Sequence, residues 1–550
     1  MDEDKGAHVL TAQEVSVAQT QTEHDAHDMA RLGKKQVFKR NFHDLSIIGL
    51  TVMMMGTWEA IASTITFSLT NGGLAGSVWI YIGSLLCTIV VVVTMAEMAS
   101  MAPTTGGQYH WVSEFGPPQY QKFLSYMVGW FSALAWQAGV AVTAYSSSGI
   151  LQSAIAINHP SYDAQPYHGT LMMIAVAAVA ALVNVFGIEW LPRLEVAILA
   201  LHVVGFVAFI ATLWGTAGRG HASAKQVFTE FANFGGWETV GGAVIVGQIT
   251  ATGSLFGYDA AAHMSEEVRD ASLTVPRAML TTILVNGLLG LITIITLCFR
   301  ITNLGALLAP AHPFPFIPLL LEATGSTAAA TTLACTVAAL TVGTCVSALA
   351  AGSRQLFAFA RDDGLPAAWL WRKVVPLRRH GAPVPLPAVL ASLAITVLLS
   401  LLPLFSAAAL SSIFGLLSCA GGASYSAALA CLLWRRLAVL RHQHRAGGNA
   451  GHGAHAADAT APLPPARFRL PPVLGAWCNA FALAYMAFAT IVCFFPAQRG
   501  AGARGMNWSV VVFGGVVVGC VAAYWCGGRR AYRGPVVCVV RAGEGRDLRQ

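Results

Sequence analysis

The chain has 550 residues, of which 55% are hydrophobic and only 11% charged, with a formal net charge of +7. An ordinary soluble domain carries about 25% charged residues, so a chain of mean hydropathy +0.60 cannot keep a mostly wet surface. These values exclude a disordered chain and a soluble multidomain enzyme, and the positive excess calls for a membrane explanation before a nucleic-acid one.

Residues 1–40 are polar and contain no apolar core of the signal-peptide type, which predicts a disordered, solvated tail. A helix needs about 20 mostly apolar residues to cross the ~30 Å hydrocarbon layer. From Leu45 onward twelve stretches meet that need: about 45–69, 77–101, 123–152, 170–187, 194–216, 240–264, 277–299, 328–352, 385–404, 408–434, 473–495 and 508–527. The connection 435–470, rich in Arg, His, Ala, Gly and Pro, is expected to be a disordered loop, and 528–550 a second tail. The eleven cysteines lie singly, without CxxC or His-paired spacing, which predicts buried free thiols and no metal framework.

With the N-terminus inside, 28 of the 33 Lys and Arg residues fall in the tails and even-numbered loops. The outer loops hold only Arg219, Lys225, Arg499 and Arg504, and Arg300 stands at a membrane edge. Lys and Arg accumulate on the cytoplasmic side, so both termini are expected there. The loops are too short for a catalytic domain, and the chain has no HExxH, GxSxG or Walker-type loop and no TVGYG-like filter. A carrier is the class that remains, with no cofactor and no enzymatic step expected.

Carriers built from inverted repeats bind substrate near the midplane, where corresponding helices are interrupted. The first span reads Met53-Met54-Met55-Gly56-Thr57-Trp58-Glu59, with Gly56 about eleven residues in. The sixth reads Thr252-Gly253-Ser254-Leu255-Phe256-Gly257-Tyr258-Asp259, with Gly253 about twelve residues after Gly241. Each combines glycine, small hydroxyl residues, an aromatic and one carboxylate. Unwinding a helix frees backbone groups that a polar ligand can satisfy and lipid cannot, and Trp58, Phe256 and Tyr258 could stack on an ammonium group. The substrate-site candidates are therefore Met55, Gly56, Thr57, Trp58, Glu59, Thr252, Gly253, Ser254, Phe256, Tyr258 and Asp259.

An acidic side chain at mid-span costs roughly 2.5–3.5 kcal/mol on insertion scales. Glu59 therefore needs a substrate cation, a proton or a neighbouring helix as partner. Asp259 has a capping or gate contact as its alternative role, and the glycines have close helix packing. His202, alone in the fifth span, is a candidate for proton coupling together with Glu59, or for one interhelical hydrogen bond. Asn184 and Asn286 read as interhelical hydrogen-bonding residues.

Three further motifs carry a family resemblance. Pro103-Thr104-Thr105-Gly106-Gly107-Gln108-Tyr109, followed by Trp111, resembles the P-x-x-GG-x-Y-x-W signature of the amino acid–polyamine–organocation (APC) superfamily. Ser353-Arg354 through Ala360-Arg361-Asp362 to Leu365-Pro366 resembles its SR…ARD-x-x-LP signature. With Gly257-Tyr258-Asp259, Ser265-Glu266-Glu267 and Val275-Pro276-Arg277, the set is similar to the fungal amino acid/choline permease branch, which includes GABA permeases. The resemblance covers about 40–527.

It implies an all-α membrane protein of the leucine-transporter type. The expected parts are a core over 41–434, with inverted five-helix repeats at about 45–216 and 240–434, and two extra helices in 471–527. It also implies secondary active import of amino acids or small amines by alternating access, coupled to protons in preference to sodium, in the plasma membrane or an internal one. Gly106, Gly107, Arg354, Arg361 and Asp362 are the gate or loop candidates, or simple staples of loop to helix ends. Where many relatives have a G-[ST]-G run, this chain has Gly56-Thr57-Trp58-Glu59. The lost glycine and added carboxylate favour a cationic or ω-amino substrate such as GABA, choline or a polyamine. A nutrient-sensing transceptor is the alternative from another class.

Overall fold

The computed structural model describes residues 21–535 apart from 216–219, 309–315, 377–381, 406, 447–461, 501 and 503–505. Expectations for residues 1–20, 447–461 and 536–550, and for Arg219 and Arg504, lie outside the described residues. The protein is an all-α membrane protein, and the described strands are one two-residue antiparallel pair, Val375–Pro376 with Pro383–Val384.

In chain order the main helices are α1 (Glu23–Arg31), α2 (Asp44–Met55), α3 (Thr57–Met101), α4 (Gln108–Phe115), α5 (Gln121–Asn158), α6 (Pro166–Phe186) and α7 (Leu191–Gly215). Then come three short ones, α8 (Val240–Gly247), α9 (Ile249–Ser254) and α10 (Ala260–His263). Six long ones follow: α11 (Ala271–Arg300), α12 (Thr327–Arg361), α13 (Leu386–Ser400), α14 (Ala407–Ala446), α15 (Pro472–Val492) and α16 (Ser509–Ala523).

Among the described residues ten helical segments are long and apolar enough to cross a membrane. The first, Asp44–Met101, has 58 residues and takes in two of the expected spans. At 1.5 Å per residue a straight helix of that length would reach about 87 Å, almost three bilayer cores. It is instead interrupted at Gly56 and again at Gly73 (φ 67°, ψ −158°). At Gly73 the extended strip around Ala232 passes so closely that a Cβ would lie 2.7 Å from the Ala232 nitrogen. The expected span 240–264 is not among the ten, because it is broken into α8, α9 and α10.

Helix faces sort by neighbour. On α7 the buried residues His202, Gly205, Phe206, Phe209 and Leu213 recur at helical spacing, while Val204, Val207 and Trp214 on the other faces are exposed. This is the pattern of a helix with one side on protein and one on lipid. Helix α12 is the most buried of the ten. Small residues let the helices close up: a Cβ on Gly290 of α11 would sit 2.1 Å from the Tyr81 hydroxyl of α3.

Two expectations are corrected at the basic end. The tail expected to be disordered over 1–40 is ordered from residue 21 and carries α1, capped by Thr22, whose hydroxyl accepts from the Asp25 N–H at 3.1 Å. Asp25 in turn accepts from the N–H groups of Asp270 and Ala271 at 3.0 and 3.1 Å, capping α11 from outside. Arg31 pairs with Glu114 at 2.8 Å, Lys34 pairs with Asp362, and Arg40 lies 3.2 Å from Asp25. The charges that make this segment read as solvated are spent on partners 83 and 328 residues away.

The loop 435–470 is likewise built in part. Helix α14 continues through Ala446, Arg436 pairs with Glu97, and the N–H groups of Arg467 and Phe468 donate to Ser100 Oγ at 3.0 and 2.9 Å.

Candidate substrate site

The first interruption falls where the sequence predicts it. Gly56 has a left-handed backbone (φ 42°, ψ 46°), a conformation glycine adopts without the Cβ penalty of other residues. It ends α2 and starts α3, so the last carbonyls of one half-helix and the first N–H groups of the other face the same gap.

Glu59 stands in the first turn of α3, where the helix dipole favours negative charge. Its side chain is 1% exposed, and Oε1 accepts from Nδ1 of His202 on α7 at 2.7 Å. Glu59 Oε2, His202 Nε2 and the Trp58 indole nitrogen have no hydrogen-bond partner among the described residues. Trp58 packs against His202, Phe206 and Phe209, with ring centroids 5.9, 6.1 and 5.3 Å away. Thr344 of α12 closes the group: its hydroxyl oxygen is 3.3 Å, and Glu59 Oε2 3.7 Å, from where a Cβ on Gly56 would lie. The result is a buried cluster holding one carboxylate oxygen and one imidazole nitrogen without partners among the described residues, beside an aromatic ring.

The second interruption is displaced from its predicted centre. Gly253 lies inside α9, and the chain leaves helix only after Ser254, with Gly257 at φ 104°. The Thr-Gly-Ser run offers glycine and hydroxyls but continues the helix, because Gly253 keeps helical backbone geometry. Gly257 is the residue that cannot. The two breaks touch: Thr57 donates its hydroxyl to the Ser254 carbonyl at 2.9 Å, and a Cβ on Gly257 would be 3.2 Å from Met54 Cγ. Thr250 hydrogen-bonds the Thr64 carbonyl at 2.8 Å. Met55, Gly56, Thr57, Ser254 and Gly257 are therefore brought together. Thr252 is half-buried, and Gly253 has nothing within 4 Å of a Cβ position.

Asp259 belongs to a different group. Tyr425 donates to Oδ1 and Gln108 to Oδ2, both at 2.6 Å, and His263 Nε2 lies 3.3 Å from Oδ2. His263 Nδ1 is 2.9 Å from the Thr105 carbonyl. Asp259 thus ties the second break to the Gly106-Gly107 turn and to α14. Phe256 stacks on Tyr425 with centroids 5.2 Å apart, and Tyr258 packs on the same ring at 5.5 Å. Gly107 sits under His263, where a Cβ would be 2.9 Å from Cε1, and a Cβ on Gly106 would press on the Tyr109 ring at 2.9 Å.

Below this the basic end is cross-braced. Arg361 forms a two-pronged pair with Glu266 at 2.8 and 2.5 Å. Arg354 donates to Glu267 at 2.8 Å and to Asn184 at 3.3 Å. Asp362 takes Lys34 and the Tyr109 hydroxyl, the latter at 2.9 Å. Burial alone would push the Glu266 carboxyl up, but Arg361, with Lys34 and Arg40 beyond it, holds it below the usual carboxylate range. Asn286 donates to the Val52 carbonyl at 2.8 Å, as an interhelical residue should.

Several of these residues are missing from the sequence-based candidates. Gln108, Glu266 and Glu267 lie inside motifs singled out by their resemblance, and the opposite charge of the two glutamates to Arg354 and Arg361 was the available signal. Tyr425 and Thr344 gave none.

An all-α multi-pass chain with two apposed helix breaks and an ionisable pair buried at one of them has the build of a membrane carrier. A model of the amino acid permease family matches residues 45–517. The chain is 29% identical over 524 residues to an uncharacterized amino-acid permease of Schizosaccharomyces pombe, covering 93% of this chain and 89% of that one. It is similar at 25% over 512 residues to amino-acid permease 2 of Neurospora crassa, covering 93% and 89%. It is 28% identical over 375 residues to the choline transporter of Saccharomyces cerevisiae, covering 68% and 66%. The protein belongs to the amino acid permease family.

Proposed function

We propose that the protein is a secondary active permease that imports an amino acid or a related small amine, GABA-like in chemistry, together with protons. In this reading it works by alternating access in the plasma membrane, with the arginine-rich end and both termini in the cytoplasm.

The observation that carries the reading is the half-satisfied Glu59–His202 pair beside Trp58 at the Gly56 break. Glu59 occupies the helix start that would otherwise attract a substrate carboxylate. Its free oxygen instead offers a negative charge to an ammonium group, with Trp58 beside it as an aromatic wall. The pair can also take up or release one proton as the substrate changes, which is the minimal requirement of coupling. The basic-end braces then form the inner gate, to be opened once the outer side has closed.

A second substrate reading, choline or a polyamine, draws support from the same acidic, aromatic wall and from the similarity to a choline transporter. Uptake of radiolabelled GABA, competed by choline, polyamines and the common amino acids, tests both. Competition by ω-amino acids or amines and loss of uptake on collapsing the proton gradient is the expected result. Uptake that runs equally well with the gradient collapsed and no sodium present sinks the coupled-carrier reading. The absence of any flux would instead favour a transceptor.

A further inference from the structure

Each of the buried acids described so far has a basic side chain as partner: Glu59 has His202, Glu97 has Arg436, Asp259 has His263, Glu266 has Arg361 and Glu267 has Arg354. Glu195 does not. It lies in the second turn of α7, fully buried, and no cation is within salt-bridge distance of it among the described residues. Its side chain meets a single donor group, the Ser347 hydroxyl of α12, at 3.0 Å from Oε1 and 3.1 Å from Oε2.

That hydroxyl has one proton and three acceptors around it, since the Gly343 carbonyl is also 3.2 Å away. An ionised carboxylate here would leave at least one oxygen without a full donor in an apolar interior, which costs heavily. A neutral carboxyl resolves the count: its O–H donates to Ser347 Oγ, and Ser347 donates onward to Gly343. We infer that Glu195 holds a transferable proton in this conformation and is the group from which the coupling proton leaves, the Glu59–His202 pair being where that proton is linked to the substrate. The inference deepens the proton-coupled reading above and rests on it for the coupling step.

The surroundings provide an exit. Helix α2 closes against this residue, so tightly that a Cβ on Gly49 would be 2.8 Å from the Glu195 carbonyl oxygen. One turn below lies a cavity of about 630 Å³ lined by His43, Ser46, Pro192, Arg193 and Val196, the last three flanking Glu195 in sequence. If α2 tilts about its Gly56 end, water from the cavity reaches the carboxyl. The O–H bond then breaks, the proton passes to water, and a carboxylate remains, to be reprotonated before α2 closes again. Because Gly56 is also the substrate break, one hinge would release both.

No charge on the packed helices competes for this role. Helix α2 carries only the exposed Asp44, and on α12 Arg354 and Arg361 are committed to Glu267 and Glu266, with Cys335 and Cys345 as free thiols. On α11 Arg277 is exposed, Arg300 is bonded to the Gly220 and Ala323 carbonyls, and Cys298 is buried and uncharged. Glu322, on the short helix Phe316–Thr324 that also packs on α7, accepts from Thr302 at 2.9 Å. On α7 itself Arg193 lies over the Trp190 ring at 4.9 Å and His202 is held by Glu59.

The test uses the full chain, in detergent for infrared spectroscopy and in vesicles for transport. The wild type minus Glu195→Gln infrared difference should show a protonated carboxyl band. Ser347→Ala, which removes only the hydroxyl, should shift that band. In vesicles, accumulation of radiolabelled GABA under an imposed proton gradient should fall about tenfold or more in Glu195→Gln, while GABA exchange without a gradient persists. No such band, or an unchanged gradient-driven accumulation in Glu195→Gln, overturns the inference. If the wild type itself accumulates neither GABA nor choline under the gradient, the permease reading fails instead, and the infrared arm decides Glu195 by itself.

Discussion

The basic end and the Gly56 break are built on opposite principles. At the basic end carboxylates meet guanidinium groups: Glu266 with Arg361, Glu267 with Arg354 and Glu114 with Arg31. At the Gly56 break the polar groups are few and the Glu59 side chain has only His202 among the described residues, with Glu59 Oε2, His202 Nε2 and the Trp58 nitrogen unmatched. The unmatched atoms at the basic end, Arg354 Nη2, Arg361 Nε and Glu114 Oε2, belong instead to groups that already have a charged partner. In the reading proposed above the basic end is the inner gate, which has to hold its own weight, and its charges pair with one another. A binding site has to leave some of its hydrogen-bonding capacity for the ligand, since a fully matched pair gives the ligand nothing to gain. The contrast separates the two acids that look alike in sequence, Glu59 at the sparse site and Asp259 in the braced network.

The largest effect should come from breaking the braced end. Arg354→Ala leaves Glu267 buried without its partner, a change that costs about 3–5 kcal/mol. The variant is expected to lose most of its folded yield in detergent, read by size-exclusion profile and melting temperature. A wild-type melting temperature would mean that Glu267 is not dependent on this pair.

Next in size is the hinge. Gly257→Ala forces φ 104° on a residue with a Cβ and pushes that atom toward Met54. Strain of this kind costs about 1–3 kcal/mol. Uptake is expected to fall more than folded yield, because the strain sits where the two breaks meet.

At the sparse site, Glu59→Gln keeps the shape and removes the charge. Hydrogen bonds to charged groups are worth about 1.5–3 kcal/mol, so apparent affinity for a cationic substrate should weaken about tenfold or more, with little change in melting temperature. An unchanged affinity removes Glu59 from the substrate site and makes it a structural partner of His202.

How much of this could be read from the sequence follows from the range of the interactions. The spans and the Gly56 break depend on local composition and spacing, so they are legible. The family motifs locate the basic end as a whole. Pairings such as Glu59 with His202, 143 residues apart, depend on which helix faces meet, which periodicity does not encode. Residues 21–40 read as a free tail for the same reason: their charges have partners, but distant ones. Glu195 was overlooked because Leu-Glu-Val at a span's edge looks like a boundary, and only packing shows that it lies inside.

A pH experiment probes the braced end more finely. Glu266 is held below the usual carboxylate range by Arg361 against the upward push of burial. A depressed folded value means its contribution is present above the unfolded value near ~4.3 and is lost as pH falls through the folded one. Wild-type melting temperature should therefore hold between neutrality and mild acid where this group is concerned. In Arg361→Gln burial is opposed only by Lys34 and Arg40, so the wild-type minus variant difference should shrink on acidification. A difference that is constant with pH would show that the pair adds no linkage.

The smallest effect is expected at Gly253, and it decides where the second break is. If the break were centred there, as glycine flanked by Thr252 and Ser254 suggests, alanine would strain it as it strains Gly257. In the structure Gly253 is helical, and nothing lies within 4 Å of the added methyl. Alanine is the better helix former by about 0.8–1.0 kcal/mol, so Gly253→Ala should leave the melting temperature unchanged or slightly raised. GABA uptake should stay within about twofold, a difference worth well under the ~1.4 kcal/mol of a tenfold change. A loss of uptake matching that of Gly257→Ala would return the break to Gly253. A raised KM with unchanged turnover would have a narrower meaning: the open space beside Gly253 is then space the substrate uses, and the sparse site extends from Gly56 onto α9.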